Sequence, residues 1–308
     1  MNTEYASAVA AVKAMESSLF THSDLEQLIN ARTQNEFNTL IASKDTGGLP
    51  EVWDMLRTYA PDSKELKILL YKNDFHNLKA VLKAMISNRE PDGYFIEPSN
   101  VSPELLKEAF RTKDSDILPE YMRETASTAY ELLTRTLDGQ LADTFIDTSA
   151  LFAMQKSADD FGGEFMQKYV QIITVCADIK TAYRCSKMQK SRAFLESAVC
   201  GSHELDKESL IRATLGGTDN LLGFLEHTAY SELAVLLKDS PARFEKHCDD
   251  MITDLAEDAR MKAFGVEPLI AYYIAKEAEI RNLRIISVCR ESGADTQTIT
   301  ERLRKLYV

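Results

Sequence analysis

Glycine and proline are scarce in this chain of 308 residues, at 12 and 8, about 4% and 3% where globular proteins average roughly 7% and 5%. No proline lies between Pro119 and Pro241. A sheet protein of that length spends Gly, Pro and Asn-Gly pairs on many turns. The scarcity therefore excludes a mainly β fold and points to an all-α one. Long apolar runs are missing too. No window approaches 18 consecutive apolar residues, so no segment reads as a membrane span. The N-terminal stretch MNTEYASAVAAVKAMESSLF carries acid early and lacks the basic and apolar regions of a secretory signal. Its Tyr5, Val9, Val12, Met15 and Leu19 fall at helical spacing instead.

Basic side chains are the minority, 36 against 48 acidic ones, for a net charge of −12. Such a balance opposes general binding to phosphate backbones, and no dense Lys/Arg run offsets it. The five cysteines (Cys176, Cys185, Cys200, Cys248, Cys289) form no C-x-x-C pair, which reads as buried thiols of a reduced cytosolic chain. Phosphate-loop, dinucleotide and nucleophile-elbow patterns are all missing: the Gly-Gly doublets lack a following Gly-Lys-Ser/Thr, and no G-x-G-x-x-G or G-x-S-x-G occurs. The five histidines include no H-E-x-x-H. His247-Cys248-Asp249-Asp250 has metal-ligand residue types, but neighbours on a helix point about 100° apart and cannot readily share an ion. A solvated acidic helix is the plainer reading, and neither catalytic residues, cofactor nor metal are expected.

What remains is helix after helix. With 44% hydrophobic and 27% charged residues the chain has the composition of a packed fold, and its length suits two or three units. Thr21-His-Ser-Asp24 breaks the first helix, with Ser23 or Asp24 as cap for a second at 25–31. Asp45-Thr-Gly-Gly48 and Pro50 read as a turn. Ser63 is placed to cap a long helix at 64–87. Residues 89–102, with two prolines and an Asp-Gly, read as irregular or a short β-hairpin. Later helices are predicted at 119–138, 141–158, 162–190, 207–214, 218–237, 241–264, 268–291 and 296–306, with Pro241 and Pro268 at helix starts.

Three of these helices share a triplet: Asn77-Leu78-Lys79, Asp178-Ile179-Lys180 and Asn282-Leu283-Arg284, spaced 101 and 104 residues apart. Each helix then runs through an apolar turn to a polar loop and a new helix start, at Ser102, Asp206 and Asp295. Thr128-Ala-Tyr130 and Thr228-Ala-Tyr230 lie 100 residues apart as a second echo, while Thr181-Ala-Tyr183 breaks that register. Regular spacing with shared context predicts a threefold repeat, with helical units at 1–115, 116–215 and 216–308. Within 268–291, Glu277 and Arg281 stand in the favourable i,i+4 order. An ion-paired outer face and a seam between repeats both produce this stripe; recurrence of the triplet favours the seam. Asn77, Lys79, Asp178, Lys180, Glu279, Asn282 and Arg284 are its candidate residues, structural rather than catalytic.

The stretch Glu267-Pro-Leu-Ile-Ala-Tyr-Tyr-Ile-Ala-Lys-Glu-Ala-Glu-Ile-Arg-Asn-Leu-Arg-Ile-Ile286 closely resembles the C-terminal signature of the C (or d) subunit of V-type and A-type rotary ATPases. The start (Tyr5, Ala-Val-Ala-Ala-Val-Lys-Ala-Met-Glu16, Leu25 to Leu28), the helix around Asp178-Ile179-Lys180, and Arg302-Leu303 also resemble that family. The resemblance covers essentially the whole chain. Asp-Ile replaces Asn-Leu in the second triplet, and Gly93-Tyr-Phe-Ile-Glu97 matches no part of the pattern. The resemblance implies a funnel-like protein of three similar helical units around a pseudo-threefold axis. It implies a non-catalytic connector between the central stalk (the D and F subunits) and the membrane rotor ring, cytoplasmic and peripheral, in a complex that moves protons or sodium ions.

Two other readings share the composition. A free-standing helical repeat scaffold for soluble partners differs only in lacking the C-terminal signature. A helical hydrolase with a dispersed Cys–His or acidic site has no local pattern to support it.

Overall fold

The computed structural model describes residues 5–44, 47–60, 63–87 and 93–308. Among these the chain is helical throughout, with no strand. In order the helices are α1 Ala6–Glu16, α2 His22–Asn30, α3 Gln34–Ser43, α4 Leu49–Tyr59, α5 Lys64–Ile68, α6 Tyr71–Ser87, α7 Pro103–Thr112, α8 Glu120–Thr136, α9 Gly139–Phe161, α10 Glu164–Met188, α11 Arg192–Ala198, α12 Lys207–Leu215, α13 Thr218–Leu225, α14 Ser231–Asp239, α15 Pro241–Arg260, α16 Glu267–Glu291 and α17 Thr296–Arg302. A 3-10 turn spans Ser115–Ile117.

The chain divides into two compact units. One joins Met1–Ser63 to Val235–Val308; the other is Lys64–Ala234. In the first, α16 is the central element, packed on α15, α1, α2, α4 and α17. Its residues Pro268 to Lys276 are all buried, so this helix is apolar nearly all round, as a core helix must be. Phe20, Leu25, Leu28, Phe37, Ile286 and Ile299 form a hydrophobic cluster beside it. The second unit is organised around α9 and α10, consecutive antiparallel helices joined at Gly162-Gly163. A Cβ on Gly162 would stand 2.7 Å from the Ala158 carbonyl oxygen, so the tight reversal requires glycine there.

The helix starts expected from the sequence meet the structure with instructive differences. Ser102, Asp206 and Asp295 each cap a helix, accepting the N–H of Leu105, Ser209 and Thr298. Pro241 and Pro268 sit in first turns. At the second helix the cap is Thr21, not Ser23 or Asp24; Thr21 and Asp24 form a reciprocal capping box. Pro50 lies inside the first turn of α4 rather than in a turn of its own, with Glu51 accepting the Gly48 N–H. The 64–87 helix is interrupted at Leu69-Leu70. Residues 93–102 form no strand; the rest of that expected hairpin, and Asp45-Thr46, lie outside the described residues. The expected helix 218–237 is split, because the Thr228 hydroxyl donates to the Leu225 carbonyl and accepts the Tyr230 N–H, closing a turn. Thr228-Ala-Tyr230 thus lies in a turn while Thr128-Ala-Tyr130 lies in α8, and that echo marks no common structure.

Candidate functional site

The triplet residues turn out to hold backbone. On α6, Asn77 is fully buried. Its Oδ1 accepts the Ile96 N–H at 2.8 Å and its Nδ2 donates to the Ile96 carbonyl at 3.0 Å. One turn earlier, Asp74 accepts four donors: the N–H groups of Asn100 and Val101, the Asn100 side-chain amide and the Tyr121 hydroxyl. Asn73 adds a bond to the Pro98 carbonyl. A returning segment without secondary structure of its own must place its polar groups somewhere; here three side chains of one helix receive them.

On α10, Asp178 does the same work as an anion. It accepts the N–H of Cys200 at 2.9 Å and of Gly201 at 2.7 Å. Both donors are N–H groups, so an acceptor-only carboxylate fits where an amide would not. Burial pushes the Asp74 and Asp178 carboxyls up to about 6, outweighing the donors that pull them down. Burial, then the Asp178 charge, pushes the Cys200 thiol up to about 12, which makes it a poor nucleophile.

On α16, Asn282 repeats the Asn77 geometry on Arg304: Oδ1 accepts the N–H at 2.8 Å and Nδ2 donates to the carbonyl at 3.0 Å. The likeness of α10 and α16 extends well beyond the triplet. Tyr169 and Tyr273, Cys185 and Cys289, and Leu195 and Ile299 are buried pairs, each 104 residues apart. Both helices end in the same way, with Lys190 N–H on the Cys185 carbonyl and Ala294 N–H on the Cys289 carbonyl, behind a left-handed Gln189 or Gly293. By this register the counterpart of Asp295 is Ser191, the cap of α11, rather than Asp206. The expected helix 296–306 stops at Arg302 because Asn282 takes the main-chain groups that Arg304 would need to continue it.

Glu279 is buried one turn before Asn282, paired with Lys276 at 2.5 Å and accepting the Phe20 N–H at 2.7 Å. Nearby, the buried Glu16 carboxylate accepts the Tyr307 hydroxyl at 2.9 Å and also meets Lys13 and Arg260. Burial first, then the Glu16 charge, raises the Tyr307 hydroxyl well above the usual range. Lys79 reaches Asp147 on α9. Lys180 is half-buried, and Arg284 is exposed. Arg281 pairs with Asp249 of α15, which also holds Arg304.

The polar residues missed from the sequence are Asn73, Asp74, Glu16 and Lys276. Asn73, Asp74 and Asn77 interrupt the apolar stripe of Tyr71, Phe75, Leu78 and Leu82 on one helix, a pattern that signals buried polar work. The arrangement fixes returning backbone against long helices. Among the described residues, no group of three or more His, Cys, Asp or Glu could hold a metal ion, and no helix is long and apolar enough to cross a membrane.

Comparison with known proteins agrees over most of the length. A family model described as ATP synthase (C/AC39) subunit matches residues 47–302. The C subunit of the V-type sodium ATPase of Enterococcus hirae is 26% identical, covering 83% of this chain and 80% of that protein. The C subunit of the A-type ATP synthase of Methanocaldococcus jannaschii is 24% identical, over 92% and 82%. The C subunit of the V-type ATP synthase of Thermus thermophilus is 24% identical, over 77% and 73%.

Proposed function

The chain belongs to the ATP synthase (C/AC39) subunit family, and from that premise we propose that it is the non-catalytic connector of a V-type or A-type ATPase. In this reading it receives the foot of the central stalk, the D and F subunits, and seats on the membrane rotor ring. Torque from ATP hydrolysis passes through it to the ring, which moves protons or sodium ions, and synthesis runs the sequence backwards. It sits on the cytoplasmic face, peripheral to the membrane through the ring.

The observation that carries the reading is the match to these rotary-ATPase relatives along most of the chain. The construction is in keeping with it. A torque-bearing part needs stiffness, and Asn77, Asp178 and Asn282 each tie a returning segment to a long helix. Those recurrent ties also support the proposed partition into units at 1–115, 116–215 and 216–308 around a pseudo-threefold funnel axis. The Lys180 and Arg284 positions, with Asn77, Lys79, Asp178, Glu279 and Asn282, are proposed as its structural seam.

Purification of this chain from its own cells in gentle detergent, with mass spectrometry of the proteins that co-purify, tests the reading. Rotor-ring and D/F subunits are expected, released by high salt. Recovery of soluble, unrelated proteins alone would replace the connector with a helical scaffold.

A further inference from the structure

In a chain of net charge −12, one cavity of the Lys64–Ala234 unit runs the other way. It is about 500 Å³ and lies along α9 and α10, with Lys72 of α6 and Phe194 of α11 at its margin. Lys72, Lys180, Arg184 and Lys190 line it, drawn from positions far apart in sequence. Two carboxylates line it as well, and both are engaged: Asp147 by Lys79, and Asp178 by the Cys200 and Gly201 N–H groups.

The shape is that of a trough. On α10 its wall is Ile173, Ala177, Thr181, Arg184 and Met188, spaced four, four, three and four residues apart along one face. On α9 it is Thr144, Thr148, Leu151 and Met154, at the same helical spacing. Each wall runs about three to four turns, roughly 15–22 Å. Lys190 donates to Gln140 across the pair and lies over the Phe194 ring. An apolar floor between two helices, several turns long, with cations on its rim, is the complement of an amphipathic helix with acidic flanks.

We propose that this trough is a docking site for an acidic amphipathic helix of a partner protein, its apolar face on Leu151, Ile173 and Met188 and its carboxylates against Lys180 and Arg184. The inference deepens the connector reading by naming the chemistry of one docked partner, and it rests on that reading for the existence of the partner.

Two experiments test it. The first measures fluorescence anisotropy of two labelled peptides of about five helical turns with the purified chain at low salt, both with Leu and Ala on one face, one with Glu and one with Lys on the other. The Glu peptide is expected to bind saturably, and K180E/R184E to weaken it by about tenfold or more, since charge pairs at an interface govern such contacts. K180A/R184A, milder toward the fold, is expected to weaken it in the same direction. Equal binding of both peptides, or no effect of either variant, would overturn the proposal. The second places photoreactive benzoylphenylalanine at the exposed Met188 in the assembled ATPase. A cross-link to a partner segment with Asp and Glu at helical spacing is expected. An intact complex cross-linked elsewhere, to a second copy of this chain or not at all, overturns the trough and leaves the connector standing. Failure to recover stalk and ring with the unsubstituted chain overturns the connector instead.

Discussion

Asn282 holds both main-chain polar groups of Arg304, accepting its N–H at 2.8 Å and donating to its carbonyl at 3.0 Å. The amide presents a donor and an acceptor side by side without charge, and at full burial no water competes for it. Asn282→Ala leaves both Arg304 groups without their partner and is expected to cost about 1–3 kcal/mol at every pH. Asn282→Asp is more telling. As a carboxylate it confronts the Arg304 carbonyl oxygen; as a neutral acid it can donate there and still accept the N–H. Its folded-state carboxyl is therefore raised, so stability is present below the unfolded value and lost as pH rises. Urea unfolding at about pH 4.5 and 7, on either side of the range where a raised carboxyl titrates, checks this: a variant equally unstable at both would refute the geometry.

Asp178 and Asp74 set a pH dependence in the wild-type chain. Their carboxyls titrate near 3.8 when unfolded and at about 6 in the fold. Between those values the native state holds protons that the unfolded chain has released, so stability falls as pH rises. The gap corresponds to about 3 kcal/mol for each group. The exposed carboxylates that are lowered act in the opposite sense, Asp206 and Asp295 below about pH 4 and Glu108 and Glu208 below about pH 4.5, so they fall largely outside this window. Unfolding free energy is expected to decline between about pH 4.5 and 7, and Asp178→Asn to remove part of that slope. A flat profile in the wild type would show that the two carboxyls are not raised.

The clamp on Asp178 depends on Gly201. This residue has φ of 80°, and a Cβ there would meet the Lys207 Cβ at 2.7 Å. Gly201→Ala therefore combines a left-handed backbone with a collision, and a loss of about 1–3 kcal/mol is expected. Gly293 has φ of 72° with open space around it, so Gly293→Ala keeps the strain and lacks the collision. Thermal melts of the two variants should rank Gly201→Ala as clearly the more damaging.

Helix content, the caps at Ser102, Asp206 and Asp295, and the recurrence of Asn77, Asp178 and Asn282 were legible in the sequence, because scarcity of turn residues and local periodicity are properties of the chain itself. What those three residues touch was not. Ile96, Cys200 and Arg304 lie 19 to 22 residues beyond their clamps, and no local pattern connects an amide to a main-chain group that far along. The true register was legible in part. Asp295 reads as a cap like Asp206; the 104-residue spacing of the triplets already pointed to Ser191, and the shared helix ends at Cys185 and Cys289 show that it answers to Ser191. The trough was illegible because Lys72, Lys180, Arg184 and Lys190 come together through packing, not through any basic run.

The Lys276–Glu279 pair gives the sharpest test of what holds α16 in place. Both residues are 3% exposed and their charged groups stand 2.5 Å apart, and Glu279 also receives the Phe20 N–H. A buried pair gains little over an apolar replacement, whereas removing one member strands a charge at about 3–5 kcal/mol. Glu279→Gln keeps an acceptor for Phe20 and removes the carboxylate charge that Lys276 meets at 2.5 Å, so a loss toward that range is expected. Lys276→Met/Glu279→Gln removes both charges while preserving the Phe20 bond, and should regain most of the loss. The coupling read from a double-mutant cycle is then large and of opposite sign to the single effects. Additive losses would mean that the two charges do not depend on each other.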